Sequence, residues 1–266
     1  MKFAKKILCV TLILAAAAGA VFAGGKAESA QGTGQIDKIR NVGVLKVGVK
    51  PDVPNFGLLN TATNTYEGFE IELSGLIAGE ILGDASKTAF TPVTAATRGP
   101  LLDNGDIDLV IATFTVTEER KLTYNFSTSY YTDAVGLLVK KAAGISGIAG
   151  LNGKTVGVAQ SATSRKALEA AAAAVGASVK FAEFATYPEI KAALDSGRVD
   201  AFSVDRSILR GYLDSETVLL DDAFSPQEYG VASKFDNKEL AAYIDGLIRK
   251  WLDDGTIKAL IDKYNI

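Results

Sequence analysis

The spacing of apolar residues changes period several times along the chain. Leu45, Val47 and Val49 are separated by Lys46 and Gly48, an alternation that predicts a short strand over 45–49. From Phe69 to Leu82 the apolar positions Phe69, Leu73, Leu76, Ile77 and Leu82 fall at helical intervals, with Ile81 beside them and Gly83 as a stop. The run DLVIAT over 108–113 is apolar between turn residues, as in a strand buried on both faces of a parallel sheet. Strands are also predicted over 155–159 and 199–204. Helices are predicted over 166–175, which is Ala-rich and ended by Gly176, and over 188–194, with Pro188 in the first turn. Two more helices are predicted over 237–252 and 255–264.

This is an α/β alternation, and two parts of it echo each other. LDNGDIDLVI (102–111) and LDSGRVDAFS (194–203) both read as a helix end, a Gly turn, an Asp and a strand. LKVGVK (45–50) and KTVGVA (154–159) are both short strands that enter a loop. The offsets differ, so this is no tandem repeat. It reads as two α/β units of similar design, against the plainer view that any α/β chain yields such echoes. Ligands of open α/β sheets sit beyond the carboxyl ends of the strands, so two facing units would form a cleft lined by those loops.

The first residues are a separate object. Lys2, Lys5 and Lys6 precede an apolar stretch from Ile7 to Ala23 that closes on Val21-Phe22-Ala23. This is the pattern of a secretory signal peptide over 1–23. The competing reading is an uncleaved anchor, and the Ala-rich tail and Gly24-Gly25 favour cleavage. Cys9 lies inside the apolar stretch with no lipobox around it, so it is not read as a lipid-attachment site. Residues 24–41 read as a flexible linker, rich in Gly, Ala, Ser and Gln at its start.

Composition then removes whole classes of chemistry. The 266 residues include no His and one Cys. No His-based catalytic group, His metal ligand, internal disulfide or cysteine cluster can be built from that set. Cleavage after residue 23 takes away three lysines, no acid and the single Cys, so a net charge of −3 becomes −6. A cysteine-free acidic chain suits an exported compartment and argues against nucleic acid as a partner. Neither a metal nor a cofactor is expected: the sequence lacks G-x-G-x-x-G, Walker, G-x-S-x-G and EF-hand motifs.

Candidate chemistry gathers after predicted strand ends. Beyond Thr113 comes Phe114-Thr115-Val116-Thr117-Glu118-Glu119-Arg120. Beyond Ala159 comes Gln160-Ser161-Ala162-Thr163-Ser164, opening a helix, and beyond Val204 comes Asp205. A guanidinium and a hydroxyl-rich helix start suit a carboxylate, and Asp205 suits an ammonium, so the set suits a zwitterion. Each residue also has an ordinary reading: Arg120 in a surface pair, Ser161 or Thr163 as a helix cap, Asp205 at a turn.

Several segments resemble the bacterial extracellular solute-binding proteins of family 3, the polar amino-acid receptors of ABC importers. They are GVLKVGVKPDVPNFG (43–57), YEGFEIEL (66–73), GDIDLVIATFTVTEERKLTYNFSTSYY (105–131), LNGKTVGVAQSATS (151–164), LDSGRVDAFSVDRSIL (194–209) and FSPQEYGVASK (224–234). The resemblance implies a two-lobed type II periplasmic-binding-protein fold. Each lobe is a mostly parallel sheet flanked by helices, and two strands cross between lobes near 130–135 and 225–230. Lobe 1 is expected over 42–132 and 228–266, and lobe 2 over 133–227.

The resemblance also implies roles. Arg120 would clamp a substrate α-carboxylate, assisted by Thr113, Thr115, Ser161 and Thr163, and Asp205 would hold the α-ammonium. Two places depart from the common pattern. Lys50 stands where many members carry a carboxylate, and the stretch Thr94–Thr97 lacks an aromatic platform, with Arg98 after it. Both departures are similar to glutamate- and aspartate-binding members, so Lys50 and Arg98 are expected to face a side-chain carboxylate. The alternatives are Lys50 in solvent and Arg98 paired with Asp103. The expected protein is a periplasmic monomer, not an enzyme. It takes glutamate or aspartate and hands it to a membrane permease. Another polar amino acid such as glutamine, a carboxylate-based lyase and a sensory receptor remain open at this point.

Overall fold

The computed structural model describes residues 34–266, so the expected signal peptide and most of the expected linker lie outside the described residues. The end of that linker is not flexible. Residues Gln35–Val42 form helix α1, closed by Gly43 in the left-handed region at φ 76°. Ile36 and Ile39, one turn apart, are buried against α2 (Phe69–Leu82) and α8 (Lys238–Asp253). Eight residues do not make a stable helix alone; burying those two side chains does.

Two sheets carry the fold. The first has the order β5-β1-β6-β14-β7, made of β1 (Leu45–Val49), β5 (Thr88–Pro92), β6 (Leu109–Val110), β7 (Tyr124–Phe126) and β14 (Ala232–Lys234). The second has the order β10-β9-β11-β8-β12, with β13 (Phe224–Tyr229) also paired to β8. Its other strands are β8 (Tyr131–Lys140), β9 (Thr155–Ala159), β10 (Lys180–Phe184), β11 (Ala201–Asp205) and β12 (Thr217–Leu219). β1 is parallel to β5 and β6, and β9 is parallel to β10 and β11. β14 and β8 run antiparallel to their neighbours. Both are strands entered directly from a crossing between the sheets, which is why they point the other way. A small meander, β2 (Asp52–Val53), β3 (Gly57–Asn60) and β4 (Thr65–Glu67), follows β1.

The helices cover these sheets. α2 shows no clear polar face and buries Phe69, Ile71, Leu73, Ile77, Ala78 and Ile81. Gly68 before it has φ 127°, and a Cβ there would lie 2.3 Å from the Phe56 carbonyl oxygen, so only glycine fits the turn. α3 (Arg98–Asn104) and α4 (Glu118–Lys121) belong to the first lobe. α5 (Ser164–Ala174), α6 (Tyr187–Asp195) and α7 (Arg206–Arg210) belong to the second. α6 opens with a capping box between Thr186 and Glu189 and Pro188 in its first turn. α8 and α9 (Thr256–Tyr264) return to the first lobe. Among the described residues no helix is long and apolar enough to cross a membrane.

The chain passes between sheets at Ser127–Tyr130 and again at Gly230–Val231. The two crossings are joined by backbone hydrogen bonds from Ser127 N to Val231 O (2.9 Å) and from Tyr130 N to Tyr229 O (2.9 Å). Phe56, Tyr131 and Tyr229 pack edge-on or tilted here, with ring centroids 5.2–6.0 Å apart. Aromatic packing therefore fills the base of the cleft between the lobes.

One predicted strand is shorter than its apolar run. Of residues 108–113 only Leu109 and Val110 are in the ladder. Thr113 takes φ 45°, which turns the chain out of the sheet and into the cleft.

Candidate functional site

The cleft is built from the ends of β1, β6, β9 and β11 and from the start of α3. β1 delivers Lys50, which is 1% exposed. Its Nζ lies 3.0 Å from Asp52 Oδ1 and 4.3 Å from the centroid of the Tyr187 ring. Burial pushes the ammonium pKa down and the Asp52 carboxylate opposes that. Lys50 does not point to solvent, and it does not present a free charge to the cleft.

Arg98 opens α3 and is also buried. Its Nη1 donates to the carbonyls of Ala112 (2.7 Å) and Thr113 (3.2 Å), while its Nε has no partner. Asp103, a candidate partner by sequence, instead accepts from Tyr124 Oη at 3.1 Å. Phe114 contacts two guanidiniums: its centroid is 4.0 Å from Arg98 Cζ and 4.7 Å from Arg120 Cζ. Each cation is attracted by the ring's π electrons, which orients both side chains.

Arg120 reaches across the cleft. Nη1 donates to Thr115 O (2.7 Å) in its own lobe, and Nη2 donates to Ser161 O (3.2 Å) in the other. Burial, then the charge of Arg98, press its pKa to about 9, which leaves it charged at neutral pH. Gln227 makes a second bridge. Its Oε1 accepts from Thr115 Oγ1 (2.9 Å) and from Thr163 Oγ1 (2.6 Å), one from each lobe. Thr163 precedes α5 but makes no capping bond, so its hydroxyl serves the cleft and not the helix. Ser161 sits in the left-handed region at φ 60°, in the turn that carries its carbonyl to Arg120.

Asp205 ends β11 and is 5% exposed, accepting a hydrogen bond from Tyr229 Oη. Burial drives its pKa up to about 7 against the pull of Tyr229, and Asp133 adds to the rise. Asp205 lies close enough to Arg98 and Arg120 for both charges to act on it. The structure thus brings Lys50, Arg98, Thr113 and Asp205 into one buried cluster, with the half-buried Arg120 and Thr115, Ser161 and Thr163 at its edge. Beside that edge a groove of about 1000 Å³ runs between α4 and α5, lined by Thr115, Arg120, Ser161, Thr163, Lys166 and Gln227 among others. Lys50, Arg98 and Asp205 do not line this groove.

The chain matches the model of the bacterial extracellular solute-binding proteins, family 3, over residues 45–266. It belongs to that family. It is a solute receptor and not an enzyme, on the two-lobed type II periplasmic-binding-protein fold. The ABC transporter glutamine-binding protein GlnH of Bacillus subtilis (strain 168) is 36% identical over 98% of this chain and 97% of that protein. A glutamine-binding protein of Geobacillus stearothermophilus is 39% identical over 79% of this chain and 80% of its own. The crystal structure of a cysteine-binding protein from Campylobacter jejuni superposes with a TM-score of 0.79 at 28% identity, covering 87% of this chain and 92% of the other.

Four parts of this family 3 receptor's cluster were not read from sequence as site residues. Glu70, fully buried in α2, accepts from Thr113 N (2.7 Å) and Tyr130 Oη (2.5 Å), and burial raises its pKa to about 7. Phe114 carries both guanidiniums, Gln227 joins the lobes, and Asp52 pairs with Lys50. Glu70 left a sequence signal, a carboxylate between Phe69 and Ile71 on an otherwise apolar helix face. Gln227 and Asp52 left none, because nothing in their neighbours says which lobe they meet.

Proposed function

We propose that the protein captures one free amino acid between its lobes, glutamine in preference, and delivers it to the permease of an ABC importer. The observation that carries the side-chain preference is the charge balance of the cluster. Lys50, Arg98 and Arg120 face three carboxyl groups: Asp52 is paired with Lys50, and burial raises the pKa of Glu70 and Asp205 to about 7. The expectation of an acidic ligand took Lys50 and Arg98 as free to face a side-chain carboxylate. With Lys50 paired to Asp52, a neutral zwitterion with a polar side chain matches the cluster better than a ligand of net negative charge. The two relatives named for glutamine support the same preference.

In this reading Arg120 holds the α-carboxylate, aided by Thr115, Ser161 and Thr163 at the lobe edges. Asp205 holds the α-ammonium, and the side chain extends toward Thr113, Arg98 and Lys50. A charge-assisted hydrogen bond contributes about 1.5–3 kcal/mol, and micromolar affinity needs only about 8 kcal/mol, so a few such contacts suffice. Closure places each lobe's ligand groups around one molecule. Glutamate is the second reading. It is favoured by Arg98 Nε, a buried donor without a partner.

Calorimetric titration with the common amino acids tests the proposal. Glutamine is expected to bind tightest, with glutamate weaker by about tenfold or more. Tighter binding of glutamate or aspartate would replace the glutamine reading with the acidic one. We further infer export with cleavage after Ala23 and a monomeric receptor; amino-terminal sequencing of the secreted chain should begin at Gly24.

A further inference from the structure

The segment after β1 does more than follow Lys50. Asp52 is two residues on, and its carboxylate is divided between the lobes. Oδ1 pairs with Lys50 Nζ at 3.0 Å, and Oδ2 accepts from Tyr187 N, the first residue of α6 in the second lobe, at 3.2 Å. The Asp52 carbonyl accepts from Tyr212 Oη at 2.5 Å, also from the second lobe. Two residues further, Pro54 packs so closely on Gly211 that a Cβ at 211 would come within 2.8 Å of the proline Cγ. Residues 52–54 are therefore seated on the second lobe at three points, and closure fixes Asp52 beside Lys50.

We infer that Asp52 is a specificity-determining residue, which holds the Lys50 charge and so denies an acidic side chain its partner in the closed cleft. The inference rests on the amino-acid-binding reading and deepens it. Lys50 is 1% exposed, its Nζ lies over the Tyr187 ring, and the anion beside it is Asp52. A side-chain carboxylate brought to Lys50 meets the Asp52 carboxylate at the same time, and like charges in a desolvated site repel. An amide meets no such repulsion and can accept from or donate to either group. Arg98 is held in place by two backbone carbonyls at Nη1, which leaves Nε as its unpartnered donor, so the discrimination at Lys50 rests on Asp52.

The test is a titration of glutamine and glutamate into the wild-type chain, Asp52→Asn, Lys50→Met, and the double variant. Asn keeps an oxygen for Tyr187 N–H while removing the charge, so the seat on α6 survives. Asp52→Asn is expected to shift the glutamate-to-glutamine affinity ratio toward glutamate by about tenfold or more. Lys50→Met leaves Asp52 unneutralised and is expected to shift the ratio by a similar factor the other way. The double variant should lie within about threefold of wild type, because removing both charges of the pair leaves the net charge beside the ligand unchanged. An unchanged ratio in both single variants overturns the inference, as does a glutamate gain that persists without Lys50. Should Asp52→Asn fail to fold, Asp52→Ser takes its place, with the same shift toward glutamate expected and an unchanged ratio again overturning the inference. Wild-type preference for glutamate would sink the glutamine proposal by itself. The change from wild type to Asp52→Asn still reports on Asp52 in that event.

Discussion

Single residues in this cleft hold several partners at once, so their removal has more than one consequence. Arg120 ties Thr115 O to Ser161 O across the lobes and stacks on Phe114. Arg120→Ala is expected to weaken amino-acid binding by about a hundredfold or more, the scale of losing one partner of a buried charge pair. Equilibrium titration checks this, and an effect below about threefold would remove Arg120 from the carboxylate clamp. Glu70 has a different role. It holds the Thr113 amide in a left-handed turn and also takes the Tyr130 hydroxyl. Glu70→Ala leaves two buried donors unpaired at about 1–3 kcal/mol each, so chemical denaturation should show a loss of about 2–5 kcal/mol. Glu70→Gln keeps the accepting oxygen and should recover most of that loss.

At the scale of elements, periodicity marked those whose hydrophobic faces are long. β1, α2, β9, α5, α6, α8 and α9 were readable because each repeats its own period over enough residues to be distinguished. Short elements were not. β2, β12 and β14 have two or three residues in the ladder, and the partners of β12 and β14 lie far away in sequence, while β6 was legible as an apolar run but not in its true length of two residues. Helix α1 was read as linker because two isoleucines are too few to declare a helix; α2 and α8 supply the surface that makes it one. The join between the small meander and α2 depends on Gly68. Gly68→Ala combines an unfavourable φ with a clash on the Phe56 carbonyl. It should lower stability by at least about 1–3 kcal/mol, measured by denaturant unfolding.

At the scale of the whole molecule, burial of charge sets the response to pH. Asp205 and Glu70 both have pKa values raised to about 7, well above the range of about 4 for a free carboxylate. Between those limits the folded chain binds more protons than the unfolded chain, so the contribution of these groups to stability falls as pH rises from about 4 to about 7. A ligand ammonium at Asp205 favours its ionised form. Binding near neutral pH should therefore release protons, and the rise in Tm on adding ligand should grow from pH 5 to about 8. Calorimetry in buffers of differing ionisation enthalpy measures the release, and Asp205→Asn should abolish its share. An equal proton release in that variant would show that the protons come from another group.

The sequence alone determined the α/β alternation, the two related units, and the kinds of groups at the strand ends. Those features are local: a period of apolar residues and the loop that follows it can be read in a single stretch of chain. It also placed Arg98, Arg120, Thr163 and Asp205 where the cleft later gathers them. Only the tertiary structure decided how those charges are partnered. Lys50 and Asp52 are two residues apart, a spacing that an extended segment keeps on one face but that does not say which groups from the other lobe surround the pair. Their pairing depends on Tyr187, Tyr212 and Gly211, contributed by the other lobe. The net charge offered to a ligand is a sum over groups from both lobes, and that sum exists only when the chain has brought them within a few ångströms in a low-dielectric site.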